Sequence, residues 1–155
     1  MKANIKHSFI AGLLGTIMMT LVAIMAPLMG MPEMSPPRML SGMLGAPLWA
    51  GWVVHFIIGI MFAFSYTHFV SAALKIKNAY LKGIVFGIMI FAIARLVMAL
   101  ADRMAPHAAN NGDGMLAFIG SLAGHLIFGV VVAKTLNSFQ CTNTFSPANT
   151  QTDDK

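Results

Sequence analysis

The sequence predicts an all-α membrane protein: four transmembrane helices arranged as two parallel helical-hairpin repeats. Three observations carry this. Of 155 residues, 57% are hydrophobic and only 10% are charged, whereas a soluble domain carries about 25% charged residues. So few charges cannot cover a water-facing surface, and lipid must solvate most of the chain. Four apolar stretches reach the roughly 20 residues that a membrane crossing needs. The pattern His-x-x-x-Gly also occurs twice, at residues 55–59 and 125–129. The length fits a single domain, placed at residues 1–136.

The spans are expected near residues 8–29, 48–70, 80–101 and 115–136. In hydrocarbon every backbone amide must bond within its own segment, so these are helices. β-Barrel strands would be about ten residues long with alternating polarity, and nothing here alternates. Span 1 has the basic start of a signal peptide. Its apolar run is too long for one and no clear small-x-small cleavage site follows, so it is read as retained. Trp49 and Trp52 open span 2, and Tyr66 and Tyr80 stand at the opposite level, where amphipathic rings anchor to headgroups. The residues from Asn137 onward are rich in Asn, Thr, Ser and Gln. That composition predicts a disordered cytoplasmic tail over 137–155.

Charge sets the expected orientation. Lys2, Lys6, Lys75, Lys77, Lys82, Lys134 and Lys155 all fall on one side of the four spans. Arg38, Arg103, Glu33, Asp102 and Asp113 fall on the other. The positive-inside rule then puts both termini in the cytoplasm of a bacterial inner membrane. The net charge of +5 is thus mainly a topology signal, with attraction to anionic lipid second. Nucleic acid is not an expected partner, because no basic aromatic patch lies outside the spans. The single Cys141 excludes a disulfide framework within the chain.

Small residues mark the helix contacts. Gly12 and Gly15 in span 1 match Gly83 and Gly87 in span 3, offset by about the same length as the two histidines. Spans 1–2 and 3–4 therefore read as two copies of one hairpin, related by an axis along the membrane normal. Lipid tails are as apolar as leucine, so helices associate by close backbone approach, which glycine permits. Gly12, Gly15, Gly51, Gly59, Gly83, Gly87 and Gly129 are the expected packing positions. The stripe of Gly83 and Gly87 continues through Phe91, Arg95 and Ala99, which places Arg95 toward the interior.

The stretch Ala-Gly-Leu-Leu-Gly-Thr-Ile-Met-Met-Thr at 11–20, Pro-Leu-Met-Gly-Met-Pro at 27–32 and the paired His-x-x-x-Gly motifs resemble a family of small bacterial four-helix integral membrane proteins known only as a domain of unknown function. The resemblance covers about residues 5–135. It implies fold and membrane location and supplies no activity.

Three sets of polar or soft residues are candidate binding positions. Arg95 is the most costly residue in a span, at ~2.5–3.5 kcal/mol on insertion scales if central. It can snorkel part of the way out, or it can face an anion, with Asp102, Glu33 and Asp113 as candidate counter-charges. Span 1 offers only Ala23 or Ile24 at the matching place. His55 and His125 can each bond a neighbouring helix, at about 0.6 kcal/mol, or bind and relay protons. A bis-histidine haem is a further reading, with Gly59 and Gly129 leaving room for the porphyrin, although His125 lies some three residues deeper. Of fourteen methionines, Met31, Met34 and Met39 crowd the first outer loop. Thioether sulfur suits Cu(I), while methionine is also a common gap-filler. The Met-Pro-Glu-Met stretch can also be a short interfacial helix broken by Pro36-Pro37.

No phosphate-binding loop, Cys-x-x-Cys pair or His-Glu-x-x-His motif occurs, so catalysis is not expected and no cofactor is indicated. The expected function is a multi-pass membrane protein with an outward-facing Arg95–His55 polar pocket and His125 below, either transport-related or an accessory subunit. A Cu(I) or haem protein and a purely structural partner subunit are the alternatives. Expected partners are the lipid bilayer and either a second copy or another membrane protein.

Overall fold

A computed structural model describes residues 5–104 and 114–144. It is helical throughout its ordered elements. Helix α1 spans Ile5–Met25 and runs into a 3₁₀ turn, Ala26–Met29. Short α2 covers Pro36–Leu44, and α3 covers Leu48–Ser65 and ends in a π turn, Tyr66–Val70. A last turn, α4, is Ser71–Ala73; α5 is Ala79–Met104 and α6 is Met115–Thr144. Four segments are long and apolar enough to cross a membrane: Ile5–Met29, Leu48–Val70, Ala79–Ala101 and Met115–Phe139. At most 39% of any of them is buried inside the chain. Ile5, Leu28, Met29, Trp49, Phe69 and Met115 are among many large apolar side chains left exposed. Water would not tolerate that surface, and lipid would, which makes this a membrane protein.

With four crossings, the start of α1 and the end of α6 share one side, the terminal side. Three sides of the four-helix square are packed along their length: α1 on α3, α1 on α6, and α5 on α6. Glycine explains the closeness. A Cβ at Gly12 would stand 2.7 Å from Ile60 Cα and 3.0 Å from Ala63 Cβ. A Cβ at Gly59 would strike Thr16 Oγ1. In the second hairpin, a Cβ at Gly83 would stand 2.6 Å from Val130 Cα, and one at Gly87 2.6 Å from the His125 carbonyl oxygen. A Cβ at Gly129 would strike the Gly83 carbonyl. Each hairpin is thus closed by glycine on both of its helices.

The contacts between hairpins are not equivalent. Gly15 lets α1 settle on Phe128 and Val132 of α6, both 2.9 Å from its would-be Cβ. The residue 71 positions on is Phe86. Its ring is buried between Tyr66, at 4.9 Å, and Phe128, at 6.4 Å. The fourth side, α5 against α3, has no extended helix contact. That side is joined at the terminal end by Tyr66 on Phe86 and by Lys82 Nζ donating to the Ser71 carbonyl at 3.2 Å. Tyr66 is accordingly a core residue, 4% exposed, and not the headgroup anchor its position suggests. Tyr80 does remain exposed, accepting a 2.8 Å bond from Lys134 Nζ.

Two sequence boundaries shift. The polar residues 137–144 continue α6 rather than starting a disordered tail. An existing helix adds residues cheaply, and Phe139 stacks on His7 at 4.2 Å, which ties the extension to α1. Residues 145–155, with Lys155, and Lys2 at the other terminus lie outside the described residues. At the opposite side, Pro36-Pro37 starts α2 instead of breaking it. Proline has no N–H to lose in a first turn. Gly45, at φ 59°, ends α2 in the left-handed conformation and bonds back to Gly42 and Ser41, as helix C-termini prefer. The helix then lies on α3, where a Cβ at Gly51 would strike the Pro37 carbonyl.

Candidate functional site

The polar residues of the span interiors gather on α1. Thr16 Oγ1 donates to the Gly12 carbonyl at 2.7 Å, and Thr20 Oγ1 donates to the Thr16 carbonyl at 2.7 Å. Such back-bonding satisfies a hydroxyl in a helix without another partner. Thr20 Oγ1 also lies 3.0 Å from His55 Nε2. Because the hydroxyl hydrogen goes to Thr16, the imidazole must be the donor in that bond. His55 then carries its proton on Nε2, and Nδ1 keeps a lone pair.

His125 is held differently. Its Nδ1 lies 2.7 Å from the Ser121 carbonyl, one turn earlier on α6. A carbonyl can only accept, so Nδ1 donates and Nε2 keeps the lone pair. The edge of Phe91 from α5 covers the ring at 5.7 Å. Both histidines are buried, at 7% and 9% exposure. Among the described residues no fully buried side-chain nitrogen or oxygen lacks a partner.

Thr20 also lines a cleft of about 270 Å³ at the end opposite the termini. Ala23, Ile24, Glu33, Met34 and Trp52 are among the other residues that line it. Arg38 bonds Glu33 at 3.0 Å. Both side chains are more than 60% exposed, so this pair adds little stability.

Arg95 does not join this group. It is exposed, and its guanidinium sits 5.6 Å above the Phe118 ring. Phe118 meets Phe91 at 5.0 Å, and Phe91 meets His125, so two phenyl rings separate the arginine from the nearer histidine. The stripe of Gly83, Gly87 and Phe91 is buried, but α5 has no second neighbour at its far end, so Arg95 and Ala99 emerge on the outer face. Glu33 is taken by Arg38; Asp113 and the side chain of Asp102 lie outside the described residues. We expect Arg95→Leu to leave the unfolding temperature in detergent within a few degrees of wild type. The substitution removes one cation–π pair with Phe118, worth about 0.5–1 kcal/mol. A collapse of folding in that variant would show that Arg95 has a buried partner.

The haem reading fails on space. The room beside Gly59 is filled by Thr16 and Phe128, and that beside Gly129 by the Gly83 and Gly87 backbone.

The methionines of the outer loop divide. Met31 and Met34 reach α6, where their sulfurs stand 3.5 and 3.2 Å from a Cβ placed at Gly120. Met39 sits half-buried on α2. Met19 of α1, outside the loop that the sequence singles out, lies 3.4 Å from a Cβ placed at Gly124. Gly120 and Gly124 are four residues apart, the spacing of one helix face, and that spacing is the sequence signal for this contact. Thr20 carries no such signal. A threonine in an apolar run reads as a small packing residue until its partner helix is known.

No curated protein and no solved structure matches the chain. A family model described as "Family of unknown function (DUF6789)" matches residues 2–146. The chain therefore belongs to this family of unknown function.

Proposed function

We propose that this chain is a multi-pass protein of a bacterial cytoplasmic membrane, with both termini inside, that binds a small polar ligand from the outer side. The observation that carries this reading is the position of Thr20, which lines the open cleft and bonds buried His55. A purely structural polar pair would be packed over by apolar side chains. Here it lines a cleft that Glu33 and Ser35 also line.

The orientation rests on charge. Lys6, Lys75, Lys77, Lys82 and Lys134 are at the terminal end, while the cleft is at the other. Positive residues favour the cytoplasmic side. The roles divide by chemistry: Thr20 fixes the His55 ring, His55 Nδ1 offers an acceptor, and Trp52 supplies an apolar wall. Among the described residues no carboxylic acid bonds either histidine, and the Thr20 hydroxyl beside His55 donates to the Thr16 carbonyl, so no bond-making step is assigned. The reading fits a transport-related or accessory subunit better than an enzyme.

Native mass spectrometry of the gently solubilised chain tests it. Wild type should carry a small added mass that Thr20→Val/His55→Leu loses, and the same spectrum reports whether one or two copies travel together. A wild-type spectrum showing only chain and detergent would count against a resident ligand.

A further inference from the structure

We propose that Met31 and Met34 form a binding site for one soft monovalent metal ion, of the Cu(I) or Ag(I) class, against α6 at Gly120. The site rests on the cleft reading above, because Met34 also lines that cleft.

Two thioethers converge there. Gly30, at φ 77°, turns the backbone after the 3₁₀ segment, and its N–H bonds back to the Ala26 and Pro27 carbonyls. A left-handed residue at that point suits glycine. The turn sends Met31 and Met34 back onto α6. Both sulfurs stand within 3.5 Å of the position a Gly120 Cβ would take, so they share one notch. One turn along the same face, Met19 of α1 packs its carbon chain over Gly124, with its Cγ 3.4 Å from the would-be Cβ.

Donor chemistry then selects the ion. Thioether sulfur is a soft, uncharged donor that suits Cu(I) and its larger analogue, whereas oxygen-rich or imidazole-rich sets suit harder ions. Among the described residues no group of three or more His, Cys, Asp or Glu side chains is placed to hold a metal. The described residues therefore offer divalent ions no competing cluster there. Packing alone explains methionine as a filler of irregular gaps. It does not by itself require two sulfurs to share the notch at Gly120. An alanine or leucine at 120 would fill the notch without sulfur. Residues 31–35 are not helical, so Met31 and Met34 can draw their sulfurs inward without disturbing a helix.

The test uses the full chain in detergent micelles, titrated with silver nitrate by calorimetry. Cu(I) follows under reducing conditions, against a chromophoric chelator. Wild type should take up about one Ag(I) per chain. Met31→Leu/Met34→Leu should weaken binding by more than about tenfold, a difference of about 1.4 kcal/mol. Gly120→Ala keeps every sulfur and should also weaken binding, because its methyl occupies the notch. Met29→Leu, an exposed thioether outside the site, should bind as wild type. No uptake by wild type, or unchanged uptake in the folded double variant, overturns the proposal. Thiol labelling at Thr20→Cys, described below, reports the cleft independently, so an absent metal site and an absent cleft give different results.

Discussion

Gly129→Ala should destabilise the protein strongly, while Gly124→Ala, five residues earlier on the same helix, should not. A methyl at 129 meets the Gly83 carbonyl and the Gly87 nitrogen, the latter at 2.7 Å. These are backbone atoms of a packed helix and cannot rotate away, so α5 and α6 must separate. Overpacking of this kind costs about 1–3 kcal/mol, occasionally more. The backbone setting puts Gly129→Ala at the upper end. A methyl at 124 meets only the flexible Met19 side chain, at 3.4 Å. There the gain in helix propensity, up to about 1 kcal/mol in a soluble helix, can show. Thermal unfolding in detergent checks the pair. A lowered midpoint for Gly129→Ala beside an unchanged or raised midpoint for Gly124→Ala is the expected result. Equal shifts would mean that α5 and α6 do not meet at glycine.

The second large effect concerns Thr20→Val. Valine keeps the shape and removes the acceptor of the His55 Nε2 proton. A buried donor left unpaired costs about 1–3 kcal/mol. His55→Leu should cost less on polar grounds, because the Thr20 hydroxyl keeps its bond to the Thr16 carbonyl. The two effects should not add. Interhelical polar pairs in membranes couple by about 0.6 kcal/mol on average and up to about 1.7, and the double variant should fall short of the sum by an amount in that range. A four-variant cycle of unfolding free energies measures this. Additive effects would show that ring and hydroxyl are independent.

The span limits are legible in the sequence because a membrane crossing is a one-dimensional property of length and apolarity. Ile5–Met29 and Leu48–Val70 follow from composition alone. Which glycine meets which helix is not legible in that way. Only the fold shows that Gly15 lets α1 settle on Phe128 and Val132, and that Phe86 is buried between Tyr66 and Phe128. Arg95 illustrates the same limit. Periodicity puts it on the Gly83–Gly87–Phe91 face, yet a face is interior only where a neighbour covers it, and α5 lacks that neighbour at its far end. The helical extension through Thr144 is hidden from sequence because polar composition signals disorder only where nothing holds the chain. The His7–Phe139 stack does hold it. The histidines stand out at once as a repeated motif, but their distinct roles depend on which nitrogen is bonded. That in turn depends on Thr20 and on the Ser121 carbonyl, neither of which the motif contains.

The central claim is that a cleft open to the outer side reaches down to Thr20 beside His55. Cysteine accessibility tests it most directly. In a Cys141→Ser background, Thr20→Cys and Ala23→Cys in intact cells should react with a small, membrane-impermeant methanethiosulfonate cation applied from outside. Ser8→Cys, fully buried near the terminal end, should not react. Protection of both cleft positions in intact cells, or their modification only after the cells are opened, would contradict the account.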